Sequence, residues 1–108
     1  MNLGKVIRVL RKQAKMSQND LAKVCGLSQP YLSLVEKNER DIHTTSLKTI
    51  CEALNVPLPI VYFMAIEKED IPDDRRQAYE LLSPHLTSMM QEIFPTSKGL
   101  MEFKNPPI

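Results

Sequence analysis

Between Ser17 and Glu36 the chain carries two helix-start signals separated by one glycine, and this pattern restricts the fold more than any other feature. Ser17 offers a hydroxyl to the orphan amides of a new helix, and Asp20 three residues later completes a capping-box pattern ahead of Leu21, Ala22, Val24 and Cys25. Gly26 ends that helix where a left-handed backbone is cheapest for glycine, and Ser28 can cap the next helix almost at once. Only a three-residue turn remains. Pro30 fits the first turn of the second helix because its missing N–H would have been unpaired there anyway, and Leu32 and Val35 mark the inner face.

Helical spacing continues on both sides of this unit. Leu3, Val6, Ile7, Leu10 and Ala14 share one face of an amino-terminal helix, with Lys5, Arg8, Arg11 and Lys12 largely off it. The polar stretch from Asn38 to Thr44 reads as a loop, and Leu47, Ile50, Cys51 and Leu54 mark a short fourth helix. After Pro57 and Pro59, the cluster Ile60, Val61, Phe63 and Met64 suggests a fifth helix that closes the core, so the domain is expected to span 1–66. The reading is all-α: a five-helix domain with a carboxy-terminal helical extension over 67–108. Pro72 can start a helix carrying Tyr79, Leu81 and Leu82 on its apolar side. Ser83-Pro84 looks like a second start, followed by the stripe Leu86, Met89, Met90, Ile93 and Phe94. Pro106-Pro107-Ile108 cannot continue a helix, and the tail from Thr96 reads as mobile.

At 108 residues, with 43% apolar and 25% charged residues, the chain is long enough for one core plus an appendage. No run approaches the roughly 20 apolar residues of a membrane span, and the start lacks a charged-then-apolar signal region, so the expected location is the cytoplasm with no membrane partner. Cys25 and Cys51 read as buried free thiols. The overall charge of +1 hides an asymmetry: nine basic residues face four acidic ones up to Ile50, and five face nine beyond it. A basic amino-terminal half suits a polyanionic partner. His43 and His85 are isolated, and no metal-ligand spacing, phosphate-cradling glycine loop or nucleophile motif occurs. No enzymatic activity, catalytic residue, metal or cofactor is therefore expected.

From Ser17 to Leu54 the chain resembles the Xre/Cro-type helix-turn-helix family of phage lambda repressor-like regulators. Gln18, Leu21, Ala22, Gly26, Leu27, Ser28, Leu32, Val35 and Glu36 stand at the family's spacing, followed by Leu47, Ile50, Ala53 and Leu54. Ala22 leaves room for two helices to cross steeply, while Leu21, Leu32 and Val35 lock them so that the second projects as a probe. The resemblance implies that this probe enters the DNA major groove. It also implies an ion pair between Arg11 and Glu36. The departures are Asn38, where the family often has glycine, Ile42, where it often has proline, and His43-Thr44. Asparagine tolerates the left-handed conformation, and the other changes alter the loop's shape.

With the probe helix beginning after Ser28, Gln29 and Pro30 lie at its tip and Ser33 and Leu34 one turn along. These are the base-reading candidates. Glutamine can bond an adenine edge in bidentate fashion. Leu34 suits either a thymine methyl or packing against the preceding loop. Tyr31 can stack on the sugar-phosphate backbone or finish the core. Phosphate contacts fall to Gln18 at the start of the second helix and, by resemblance, to Lys37, Arg40, Thr44, Thr45 and Lys48 around the loop and the fourth helix.

The expected function is a transcriptional regulator, a repressor that binds double-stranded DNA as a homodimer at an inverted-repeat operator with half-sites about 34–36 Å apart. Residues 71–94 are the candidate interface, and the same stripe can instead fold back to enlarge the core. The alternative is an antitoxin or accessory module whose carboxy-terminal helices grip another protein, since fold does not dictate function.

Overall fold

The computed structural model describes residues 1–94, and the tail from Thr96 lies outside the described residues. Five helices form the domain: α1 (Leu3–Gln13), α2 (Gln18–Cys25), α3 (Gln29–Glu36), α4 (Thr44–Leu54) and α5 (Leu58–Ala65). Two single 3₁₀ turns, Lys68–Asp70 and Asp73–Arg75, lead into α6 (Arg76–Ile93). None of these helices is long and apolar enough to cross a membrane by itself.

The caps follow the local chemistry. Ser17 Oγ accepts from the Asp20 N–H at 3.0 Å and an Asp20 carboxylate oxygen accepts from the Ser17 N–H at 3.3 Å, closing the capping box. Gly26 takes φ 68° at the end of α2, and Ser28 Oγ accepts from the Tyr31 N–H to start α3. Asn55, at φ 56°, ends α4 in the same left-handed way, a signal the sequence reading passed over. Pro57 then caps α5, and Pro59 sits in its first turn. α4 begins at Thr44 and runs 11 residues, as long as α1, so the loop is one residue shorter than expected and the helix is not short.

One core joins all five helices. Val6, Ile7 and Leu10 of α1 meet Leu21 and Ala22 of α2, Leu32 and Val35 of α3, Leu47 and Ile50 of α4, and Ile60 and Val61 of α5, every one of them buried. Burying side chains of this size contributes about 1.5–3 kcal/mol each before the chain's ordering entropy is set against it. Both cysteines are free: Cys51 is buried, which pushes its thiol up to about 11, whereas Cys25 is only half-buried.

The amino-terminal end of α1 approaches the end of α3 through Gly4. A Cβ there would overlap the Val35 carbonyl oxygen and lie 2.7 Å from Asn38 Oδ1. Asn38 itself has φ 58°, the left-handed conformation for which glycine is the usual choice. Its side chain accepts from the Gly4 N–H and donates to Asn2 Oδ1, tying α1 to the end of α3.

The extension corrects two expectations. Ser83-Pro84 does not start a new helix: α6 is continuous for 18 residues with Pro84 inside it. An interior proline removes one helical hydrogen bond and costs about 3 kcal/mol. The helix continues because Ser83 and Thr87 are buried against the domain and Met90 and Phe94 pack on its core, so both sides of the proline lie along one supporting surface. Thr87 Oγ1 also donates to the Ser83 carbonyl at 2.8 Å. Secondly, the apolar residues read as one stripe divide between two faces. Leu81, Leu82, Leu86, Met89 and Ile93 are exposed, so the extension enlarges the core with one edge only. Arg76 fixes its start by donating from Nε to the carbonyls of Lys68 and Ile71.

The two structurally demanding glycines respond differently to a methyl group. Gly26 has open space around its Cβ position, so Gly26→Ala costs only backbone strain, about 1–2 kcal/mol. Gly4→Ala forces α1 and α3 apart and costs about 3 kcal/mol. Urea unfolding midpoints check the order, and equal shifts would contradict the close approach.

Candidate nucleic-acid interface

The exposed end of α3 is organised from a buried charge outward. Arg11 and Glu36 are 8% and 7% exposed, and their charges face each other: Nε donates to Oε2 at 2.8 Å and Nη2 to Oε1 at 3.0 Å. The remaining guanidinium nitrogen, Nη1, donates to the Met16 carbonyl at 2.8 Å, so the loop between α1 and α2 is part of the same arrangement. The geometry is that of a bidentate fork, the strongest form of carboxylate pairing. The ion pair implied by resemblance is present.

The chain of bonds then runs toward solvent. Gln18 Nε2 donates to Glu36 Oε1 at 3.0 Å, and Gln18 Oε1 accepts from Gln29 Nε2 at 2.9 Å. Each link fixes the orientation of the next amide, because a carboxylate can only accept. Gln29 is left with its Oε1 and its second Nε2–H unused by this chain. These form a donor–acceptor pair at the tip of α3. Sequence reading placed Gln18 and Gln29 separately and missed their connection. Its signal was a glutamine at the first position of each of two successive helices joined by a tight turn.

Of the other candidates, Pro30 adjoins Gln29 in the first turn of α3, and Ser33 and Leu34 follow one turn along. Pro30 and Leu34 are exposed, with Leu34 at 36%, and Ser33 is half-buried. Tyr31 is half-buried and organises the following loop. Its hydroxyl accepts from the His43 N–H at 3.1 Å, its ring stacks with the His43 ring at a centroid distance of 6.2 Å, and the Arg40 guanidinium lies 5.2 Å from its centroid. The ring is therefore engaged by the loop, and Arg40 gains a cation–π contact. Ile42 packs against the core in place of a proline.

Lys37, Arg40, Thr44, Thr45 and Lys48 are all exposed. Glu39 and Asp41 are exposed in the same loop, so its basic character is local. Thr44 and Thr45 open α4, whose capping residue His43 contributes no side-chain hydrogen bond. The first amides of α4 lack the capping that Ser17 and Ser28 give α2 and α3, and such a helix start favours an anion.

A family model described as Helix-turn-helix matches residues 7–61. An uncharacterized HTH-type transcriptional regulator of Mycobacterium tuberculosis (strain CDC 1551 / Oshkosh) is 30% identical over 99 residues, which cover 92% of this chain and 61% of that protein. The chain thus spans about three fifths of the length of this relative. The match extends well past the five-helix domain and takes in α6. Control protein C.SmaI of Serratia marcescens is 33% identical over 57 residues, covering 53% of this chain and 68% of that protein.

The buried fork generates a sharp expectation for stability. Arg11→Met leaves the Glu36 carboxylate buried without its charge partner and costs about 3–5 kcal/mol. The double variant Arg11→Met, Glu36→Met recovers much of that loss. Denaturant titration of the three proteins tests this, and a double variant no more stable than the single one would contradict the account.

Proposed function

The chain belongs to the Xre/Cro-like helix-turn-helix family, and we propose that it is a sequence-specific DNA-binding transcriptional regulator, a dimeric repressor that inserts α3 into the major groove of an inverted-repeat operator. The observation that carries this reading is the hydrogen-bonded chain from Glu36 through Gln18 to Gln29. It leaves Gln29 offering one acceptor and one donor side by side, the complement of the N6 donor and N7 acceptor on an adenine edge. Core packing has no use for such an arrangement. Pro30, Ser33 and Leu34 complete the reading surface, with Leu34 available to a thymine methyl.

Phosphates hold the domain in register. Lys37, Arg40 and Lys48 supply charge, and Thr44 and Thr45 supply hydroxyls at the uncapped start of α4. Gln18 contributes the amide proton not given to Glu36, and Tyr31, whose hydroxyl accepts from His43, keeps its own proton to donate. Arg11 and Glu36 act through the framework and touch no DNA. The names of the relatives, a transcriptional regulator and a control protein, support a regulatory role. The second reading, an antitoxin or accessory factor that grips a protein through residues 71–94, is favoured by the exposed apolar side of α6.

Selection from random duplex DNA, followed by binding measurements at several salt concentrations, tests the proposal. The expected product is an inverted repeat. Gln29→Ala relaxes one base position in each half-site, worth about 1–3 kcal/mol of discrimination. Lys48→Ala weakens all sequences alike and reduces the salt slope by about 1. Absence of salt-sensitive binding, with a stoichiometric protein partner instead, would favour the second reading.

A further inference from the structure

A cavity of about 350 Å³ lies where the start of α1, the end of α5, the first 3₁₀ turn and α6 meet. That volume falls within the range of about 300–1,000 Å³ typical of small-molecule sites. No described residue lining it belongs to α3 or to the loop that follows, so the reading of DNA makes no direct use of it. One wall is apolar, formed by Met64, Ala65 and Ile66. The other presents hydrogen-bond donors. Ser83 is 5% exposed, yet its hydroxyl makes no hydrogen bond among the described residues, and it lines the cavity. Asn2 Oδ1 accepts from the Lys5 N–H at 3.1 Å and from Asn38 Nδ2 at 2.6 Å, which leaves the two Asn2 Nδ2 hydrogens as the unused part of that amide. The Lys5 ammonium belongs to the same wall.

We propose that this cavity binds a small monocarboxylate with an apolar tail. An ammonium, a hydroxyl and an amide N–H are the donors that a carboxylate, which can only accept, would satisfy, and the apolar wall receives the chain behind it. The remaining charges select against other classes. Glu80 lines the cavity but is paired with Lys68 Nζ, and Glu67 lies 3.5 Å from the Met1 ammonium. A ligand amine would have to displace Lys68 from Glu80. A dianion such as a phosphate ester would meet two carboxylates at the rim with one lysine to hold it, and like charges at close range are unfavourable.

Occupancy reaches α3 through Asn2. A carboxylate that accepts from Asn2 Nδ2 leaves both bonds to Oδ1 in place and fixes the plane of the amide. Asn38, the partner of one of those bonds, also accepts from the Gly4 N–H and stands just past the end of α3. A bound acid therefore tightens the tie between the start of α1 and the end of α3. On the regulator reading, on which this coupling rests, the acid raises DNA affinity, and DNA raises affinity for the acid by the same factor.

Calorimetric titration of the full chain without DNA, using butanoate, hexanoate and octanoate, is the first test, with hexanol and hexylamine as matched controls. At least one acid should bind with a Kd of about 1 mM or tighter, and both controls should bind at least about tenfold more weakly. Lys5→Gln should weaken the acid about tenfold and Ser83→Ala several-fold, with the acid-free urea midpoint unchanged in both. Backbone amide shifts on titration should centre on Ile66, Tyr79 and Ser83. Failure of all three acids to bind, controls that bind as well, Lys5→Gln binding like wild type, or shifts centred elsewhere each overturn the site. For the coupling, the acid should raise affinity for the selected duplex about fivefold or more. Asn38→Gly keeps the backbone conformation and removes the tie, so it should bind acid as before and lose that increase. An unchanged DNA affinity in wild type, or an increase that survives in Asn38→Gly, overturns the coupling. A chain that binds the acid but no DNA would instead sink the regulator reading and leave the site standing.

Discussion

The buried fork between Arg11 and Glu36 is the constraint on which the rest of the domain depends. Two charges removed from water are unfavourable unless each is matched by the other and by further hydrogen bonds. Here α1 supplies the cation, α3 the anion, and the Met16 carbonyl and the Gln18 amide satisfy the remaining valences. Any rotation of α3 about its own axis, or any slide of α2 along it, breaks one of these bonds in a medium where replacement by water is difficult. The hydrophobic core around Leu21, Leu32 and Val35 is less particular, since apolar contacts tolerate small shifts. The core holds the helices together. The fork fixes their register.

That division explains which parts of the structure were legible in the residues. Ser17, Asp20, Gly26 and Ser28 act over three or four positions, and the local chemistry of caps and turns is written where it operates. Residue spacing likewise disclosed most of the buried faces of α1 to α5, although Ala14, read onto the α1 face, is exposed and Arg11, read off it, is buried. The link from Glu36 to Gln18 to Gln29 was not legible, because the three residues stand far apart along the chain and meet only once the helices have crossed. Tyr31 was read as a residue with two possible uses. Its service as a clamp on the loop depends on Arg40 and His43 arriving at the same ring from a segment with no periodicity to interpret.

The extension shows the opposite failure, a local signal outweighed by its surroundings. Ser83-Pro84 has the composition of a helix start, and in an isolated peptide that signal would compete well. Against the surface formed by the domain, a continuous helix buries Ser83 and Thr87 and brings Met90 and Phe94 to the core, and the proline is accommodated. The apolar residues of this region were equally misleading as a single stripe. Helical spacing identifies faces, but it does not say which of two adjacent faces meets the body of the protein.

Asn38 carries a different kind of information. At a position where glycine meets the backbone requirement by having no side chain, asparagine meets it while also binding Gly4 and Asn2. The end of α3 and the start of α1 are thereby held as one unit. A descendant with glycine at 38 would strand the partners at positions 2 and 4, and one that alters position 2 would leave the asparagine with only half its purpose. Across a lineage positions 2 and 38 should change together, whereas position 4, which bonds through its backbone, is held to glycine by the Val35 carbonyl whatever residue stands at 38.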